Sequence, residues 1–534
     1  MRKEAIYYLK MAKGLAEVFR RPSHSDPLGV IQEQLQHREE RFLAQIRRYI
    51  FSDPSHPYHA MFELAQCTQG DLESLVARRG LEGALLELKN AGIFLTHDEV
   101  KRKRPIVRAG REIPSDERSF LKKDLKGSWQ SRSSGSRSAG THTPHSVAYR
   151  SYRDCYEGLM ATEHGYAGKE FVMLMPILPA PYGLTRPSTM HRMGGRVNKW
   201  FAVGGNLRGT AHYRIITKLL VAESRLLGVQ TPWPEYLPPH DFNPAVNHLQ
   251  KTSEGGRKAV VWGVTSPAVR VAAAARDRGI RLDGVSFFVS GEALTEAKRQ
   301  VIQSTGAEVY PTYIISEIGT IGYACRSMQS GNCVHLFEDN VAAISVERPA
   351  PLTQATVHSL HFTTLLPSNP RMLINAEMDD HGFVERTTCD CTLARAGFRR
   401  QIRDIWSFSK LTGYGTTLVG SDVLAILEER LPARFGGSPT DYQLVEHDTG
   451  LQTNLILRVS PRVRGTDLAD VREFFLGQIR AMYGGSLTVR DWVHGDAFQV
   501  VSAEPEENSI GKILPLHLLG SGERPAKAVA HSTS

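Results

Sequence analysis

The sequence predicts an α/β fold built on βαβ units, followed by a small α+β domain at the carboxyl end, and three stretches carry that prediction. The first runs from Val285 to Cys325. A β-rich apolar run, Val285-Ser286-Phe287-Phe288-Val289, is closed by a turn at Ser290-Gly291-Glu292. A helix follows, capped by Thr295 with Ala297 and Val301 at helical spacing, and then a second strand from Glu308 to Tyr313. The second stretch holds the apolar segments Phe171 to Leu178 and Val260-Val261-Trp262-Gly263, read as buried strands, with an amphipathic helix from Tyr213 to Leu227 between them. The third lies beyond Ser421, where a helix to Leu431, a strand from Thr453 to Val459 and a helix from Leu468 to Met482 make a compact α+β unit. A βαβ unit implies a parallel sheet whose ligand sits at the carboxyl ends of the strands.

Length and composition bound the rest. A chain of 534 residues exceeds one small domain and has apolar content for a large core. The net charge of +9 is spread along the chain, and its densest run is only Lys101-Arg102-Lys103-Arg104; nucleotide and CoA phosphates would satisfy that balance, so would no anionic partner at all, and no nucleic acid is expected. The sequence has no apolar run long enough to span a membrane, and MRKEAIYYLKMAKGL lacks the apolar centre of a signal peptide, so a cytoplasmic protein without a membrane partner is expected. Six cysteines do not make a disulfide framework in a chain of this size.

In chain order, residues 1–95 read as a helical preface, with apolar positions at helical spacing in Phe42-Leu43-Ile46-Tyr49-Ile50 and Leu72-Leu75-Leu81-Leu85-Leu88. Next comes Ser131 to Thr141, a run of glycines and small hydroxyl residues whose backbone amides could approach phosphate oxygens; a flexible linker has the same composition. No constellation of chemical groups stands out between Tyr149 and Pro239, and the polar stretch Glu235 to Arg257 reads as a surface excursion. Glu317 follows the second strand of the core unit, where a carboxylate can hold Mg²⁺ against phosphates. Cys325, His335 and the pair Cys389 and Cys391 form the ligand set of a tetrahedral zinc. Cys333 competes with His335, and buried free thiols are the alternative.

Over roughly residues 95 to 520 this order of features resembles the adenylate-forming enzymes, within them the phenylacetate–CoA ligase branch. The resemblance rests on the strand, GEALT, helix, strand and Tyr313-x-x-Ser316-Glu317 series, on the later Cys/His set, and on Gly511-Lys512 near the carboxyl end. It implies an adenylation core over residues 96–405 and a mobile lid over 406–534. It also implies an AMP-forming ligase that activates an aryl or hydrophobic acid with ATP and Mg²⁺, then transfers it to CoA. A homodimer is compatible with it.

Residue by residue, the resemblance implies that Lys512 and Glu317 carry the chemistry. It implies that Ser133, Ser134, Gly135, Ser136, Gly140, Thr141, Gly291, Glu292, Tyr313, Ser316, Asp379 and Arg403 meet the nucleotide, with Asp380 in reserve for the ribose, and that Trp262, Gly263, Phe288, Ser290, Ile318 and Gly319 line the acid pocket, Trp262 and Phe288 being plain core in the alternative. The sequence also departs from the pattern: Thr141-His142-Thr143 replaces the loop lysine, Ile314 replaces a glycine, and Phe408 and Lys410 replace the hinge arginine and aspartate. These departures suit a specialised member in secondary metabolism, in which AMP activation serves amide formation or diazotisation with nitrite and an aryl amine.

Overall fold

Half of a twelve-stranded sheet is parallel, and the βαβ unit lies in that half. The computed structural model describes residues 2–22, 24–124, 128–132, 142–204, 211–238, 240–328, 331–349, 356–407, 420–448, 453–482, 498–508 and 510–519. The strands are β1 (Glu170–Met175), β2 (Lys199–Ala202), β3 (Pro234–Tyr236), β4 (Ala259–Val264), β5 (Val285–Ser290), β6 (Glu308–Ile315), β7 (Gly319–Tyr323), β8 (Val334–Leu336), β9 (Val341–Pro349), β10 (Thr356–Thr364), β11 (Ala376–Arg386) and β12 (Arg400–Ser407). Their order is β9-β10-β11-β12-β8-β7-β6-β5-β4-β1-β2-β3. From β6 to β3 every pairing is parallel; from β6 to β9 every pairing is antiparallel.

The parallel strands are apolar on both faces because helices cover both. Val261 and Phe287 point to one side, against Ala268, Val269 and Ala272 of the helix Thr265–Asp277 and Val246 and Leu249 of the helix Asn243–Glu254. Trp262, Phe288 and Tyr310 point to the other, with Tyr152, Tyr156 and Met160 of the helix Val147–Glu163. The helix Asn243–Glu254 corrects the reading of Glu235 to Arg257 as a surface excursion: Ala245, Val246, Leu249 and Thr252 are buried, and Thr252 and His248 hydrogen-bond to Glu170 at 3.0 and 2.7 Å. Helices of the first 90 residues pack Phe42, Ile46, Leu72 and Leu85 against the antiparallel half, beside Val341, Leu360 and Ile402. Among the described residues no helix is long and apolar enough to cross a membrane.

Beyond residue 419 a second core forms on four strands, β13 (Tyr442–Asp448), β14 (Thr453–Val459), β15 (Phe498–Ser502) and β16 (Leu516–Leu519), in the order β15-β14-β13-β16. Val423, Leu427, Phe475 and Ile479 close it with Tyr442, Leu455 and Phe498. This domain meets the large sheet at the helix Glu296–Gln303. Thr295 caps that helix, its hydroxyl accepting from the Lys298 amide at 3.4 Å. Its buried face carries Lys298 and Arg299 beside Val301 and Ile302, so it is not the plain apolar stripe that Ala297 and Val301 suggested. Arg299 donates to the carbonyls of Val309 and Gly331 at 3.0 and 2.6 Å. Lys298 pairs with Glu428 of the carboxyl-terminal domain at 2.9 Å, both side chains nearly inaccessible, and Glu428 also accepts from Thr295 at 2.5 Å.

Removing one member of a buried pair leaves the other charge without compensation, which costs about 3–5 kcal/mol, whereas replacing both by apolar groups is near neutral. Glu428→Leu is expected to destabilise the protein in urea by that amount, and Lys298→Met with Glu428→Leu to recover most of the loss. A single variant no less stable than the double would show that the pair does not hold the two domains together.

Candidate active site and metal cluster

At the carboxyl ends of β4, β5 and β6 the sheet opens into a cavity of about 1220 Å³. It is lined by Trp262, Gly263 and Val264 at the end of β4, Ser290 and Gly291 at and just past the end of β5, and Thr312, Ile314 and Ser316 along and after β6. Gly291 adopts φ +88°, and a side chain there would meet Lys512, its Cβ 2.9 Å from Cε and 3.4 Å from Nζ. A residue without a side chain is what permits this approach.

The loop that carries Lys512 is built to present it. Asn508 Oδ1 accepts from the amides of Ile510 and Lys512 at 3.1 and 3.0 Å, and Glu507 bridges to Ile513. Gly511 turns the chain at φ +81°, with Pro267 and Val203 3.2 and 3.4 Å from where a Cβ would stand. The Ile513 amide donates to the Ser266 hydroxyl at 3.2 Å, and Ser266 donates to Glu292 at 2.5 Å. Arg270, only 1 % exposed, pairs with Glu507 and, at 3.4 Å, with Glu504. Burial outweighs Arg270 and pushes the Glu507 carboxyl up to about 7.

A smaller cavity of about 430 Å³ adjoins the first and shares Arg150, Arg153, Tyr182, Ile314 and Ser316 with it. Glu317, Ile318 and Gly319 line this second space. Glu317 is buried and paired with Lys101. Burial pushes its carboxyl up, but the Lys101 ammonium, with Arg371 further off, holds it below the usual glutamate value. A depressed carboxyl stabilises the fold above the ordinary glutamate range and loses that contribution only as the pH falls through the lower folded value, so Glu317 is ionised at neutral pH.

The other residues named from the sequence divide between these cavities and their surroundings. Phe288 does not line the cavity: it is buried behind Trp262, the two rings stacked with centroids 4.8 Å apart. Tyr313 donates its hydroxyl to Asp380 at 2.6 Å, and Asp380 also accepts from Ser407 at 2.5 Å. Asp379, in the left-handed region at φ +65°, interacts with His97. Arg403 lies away from both cavities, paired with Glu385 and Asp404 and set over the Phe383 ring. Ser133, Ser134, Gly135, Ser136, Gly140 and Thr141 lie outside the described residues, as do Phe408 and Lys410.

The far wall was not legible in the sequence. The helix Val147–Glu163 contributes Arg150, Arg153 and Glu157, and the helix Tyr182–Arg192 contributes Thr185, Arg186 and Arg192. Arg186 pairs with Glu157 at 2.6 Å and lies 3.6 Å from the centroid of the Trp262 ring. The available signal was the recurrence of Arg150, Arg153, Asp154 and Glu157 at helical spacing among aromatic residues.

Away from the cavities, Cys325 after β7, His335 in β8, and Cys389 and Cys391 before β12 bring four ligand atoms within 4.8 Å of one another. Cys325 and Cys389 sulfurs are 3.6 Å apart, and Cys391 Sγ is 3.2 Å from His335 Nε2. Ligand bonds of about 2.3 Å to sulfur and about 2.0 Å to nitrogen in a tetrahedron put neighbouring ligand atoms about 3.5–3.8 Å apart, so the four groups fit one metal ion. His335 Nδ1 faces the Phe398 carbonyl at 3.3 Å, which turns Nε2 toward the sulfurs. Hydrogen bonding with Cys325, and His335 alongside, pull the Cys391 thiol down to about 4 against its burial; the same pairing and burial raise Cys325. Cys333, the competing ligand, lies outside the cluster and is raised by burial to about 12.

No protein-family model and no curated protein matches this chain. Among solved structures, it is similar to ATP-bound MatB from Rhodopseudomonas palustris, with TM-score 0.40 and 11% identity over 80% of this chain and 71% of that one. It is also similar to O-succinylbenzoate coenzyme A synthetase (MenE) from Bacillus subtilis with ATP and magnesium, with TM-score 0.39 and 11% identity over 81% and 80% of the two chains. A third is the anthranilate CoA ligase AuaEII with anthranoyl-AMP, with TM-score 0.39 and 12% identity over 78% and 70%. Likenesses this distant carry no inference about chemistry.

Proposed function

We propose that this protein is an ATP-dependent adenylate-forming ligase: it activates a carboxylic acid as an acyl adenylate, releases pyrophosphate, and passes the acyl group to a thiol such as CoA. The observation that carries the reading is the reach of Lys512 from the carboxyl-terminal domain onto Gly291, into the cavity bounded by Trp262, Ser290 and Ser316. A single cation held there can neutralise charge that develops when a carboxylate oxygen attacks the α-phosphate. The attack forms the acyl–phosphate bond and breaks the bond to pyrophosphate. The adenylate so formed stores the energy of ATP in a good leaving group.

Glu317 serves as the protein ligand of Mg²⁺, an ion that accepts one or two carboxylates and keeps several waters. When bound, the ion neutralises the departing pyrophosphate. Lys101 neutralises Glu317 in its absence and competes with it. Asp379 holds the ribose hydroxyls, with Asp380, which accepts from Tyr313 and Ser407, in reserve. Cys325, His335, Cys389 and Cys391 hold a structural zinc that ties the segment after β7 to the loop before β12.

Lys512→Ala is expected to slow pyrophosphate release about 10²–10³-fold with an unchanged melting temperature; full activity in this variant would remove the lysine from the mechanism.

Substituting Glu317 by Gln keeps size but removes charge. The Mg²⁺ concentration needed for half-maximal pyrophosphate release should rise, with little change in the pH profile. Loss of a single pH-sensitive limb at unaltered Mg²⁺ dependence would instead mark the residue as a base.

Metal analysis of protein purified without chelator should find about one zinc per chain, and Cys391→Ser should lower the melting temperature more than the turnover per folded molecule. Metal-free protein of normal stability would end the zinc assignment.

A further inference from the structure

The wall of the larger cavity holds more positive charge than its own carboxylates neutralise. Arg186 is matched by Glu157 at 2.6 Å and Arg192 by Asp154 at 2.5 Å. Arg150 and Arg153 lie one helical turn apart on the helix that supplies both those carboxylates, and among the described residues neither is ion-paired. Arg150, 8 % exposed, donates to the Thr185 hydroxyl at 2.9 Å and sits 5.9 Å from the centroid of the Tyr182 ring. Arg153 donates to the Tyr323 hydroxyl at 3.5 Å and, among the described residues, its buried Nε has no hydrogen-bond partner; burial pulls this guanidinium down, but Tyr323, Tyr149 and Glu157 hold it above the ordinary arginine value. Burial, and then the Arg153 guanidinium, pull Arg150 below the ordinary arginine value. Arg150 does not escape that setting by losing its proton, so the cost at this one guanidinium persists until an anion arrives. Two neighbouring guanidiniums present the forked donors that bind a carboxylate or similar oxyanion.

Within the proposed reaction, the reacting carboxylate and α-phosphate fall to Lys512, and the metal to Glu317. Arg150 is fastened to Thr185 and Tyr182, on the two helices that line the larger cavity away from the strand ends, with Arg186 over Trp262; Arg150 and Arg153 also line the smaller cavity with Glu317. We infer that Arg150 and Arg153 form a specificity site for a second anionic group on the acid, so that the substrate is a dicarboxylic or comparably dianionic acid whose body lies along Trp262. This rests on the adenylation reading and departs from the sequence expectation of an aryl or hydrophobic acid, which drew on Trp262 and Phe288 and not on the arginines.

The test uses matched acids: isophthalate and terephthalate against their mono-carboxamide counterparts, and the carboxy derivatives of phenylacetate against theirs. The wild-type protein should release pyrophosphate with at least one dianionic acid about tenfold or more faster, as kcat/KM, than with its carboxamide twin, the margin of a charge-assisted hydrogen bond. Arg150→Gln and Arg153→Gln should each erase that preference while KM for ATP stays constant, and Arg150→Lys should keep part of it. Equal use of acid and carboxamide by wild-type protein overturns the inference whether or not the variants fold. So does a raised KM for ATP with acid preference intact, which would make the arginines phosphate ligands. If no acid yields pyrophosphate, the adenylation reading fails, and calorimetric titration of the full-length protein with the same pairs in the absence of ATP decides the arginine site alone. Tighter binding of a dianionic acid, lost in Arg150→Gln, supports it; equal binding overturns it.

Discussion

The site depends on the contact between Lys512 and Gly291. It needs a position at the end of β5 that has no side chain and a positive φ, and a second glycine at 511 to turn the opposing loop. It also needs the carboxyl-terminal domain held against the sheet, which is the work of Arg270 with Glu507 and Glu504, and of Lys298 with Glu428. These are buried charges, and buried charges are costly unless each finds its partner. The pairings therefore favour the arrangement in which both partners are present, and that arrangement puts an ammonium in the cavity mouth.

The parallel half of the sheet gives this contact its geometry. Because β4 and β5 are covered on both faces, their alternating residues form two cores, and only the strand ends are left to meet solvent and ligand. Trp262 and Phe288 show the difference one strand makes: they are register partners and stack on each other, yet Trp262 reaches the cavity and Phe288 lies beneath it. The antiparallel half has another task. Its strands bring Cys325, His335, Cys389 and Cys391 to one point, so that distant segments share one cluster.

The two cavities differ in how their charges are met. Glu317 is answered by a lysine, whereas two carboxylates of the helix Val147–Glu163 answer Arg186 and Arg192 of the facing helix and leave Arg150 and Arg153, which line both cavities, without an ion pair among the described residues. Pairing of this kind is set by which helix packs over which strand, and it decides the polarity of a space that a list of nearby apolar residues describes poorly.

Local sequence determined those parts of this protein that depend on residues close together in the chain. The alternation Val285 to Val289, the Thr295 cap and the glycines at 291 and 511 act within a few residues, and the strand, turn and helix they predict are present. The Cys-x-Cys pair and Gly511-Lys512 were visible for the same reason. Tertiary structure alone decided what lies near them: that Lys101 meets Glu317, that Asp380 is engaged by Tyr313 and Ser407, and that Arg150 and Arg153 line the same cavity as Trp262. Each of those meetings joins residues from separate elements, and their partners were fixed by the packing of helices on a sheet, which no short window of sequence contains.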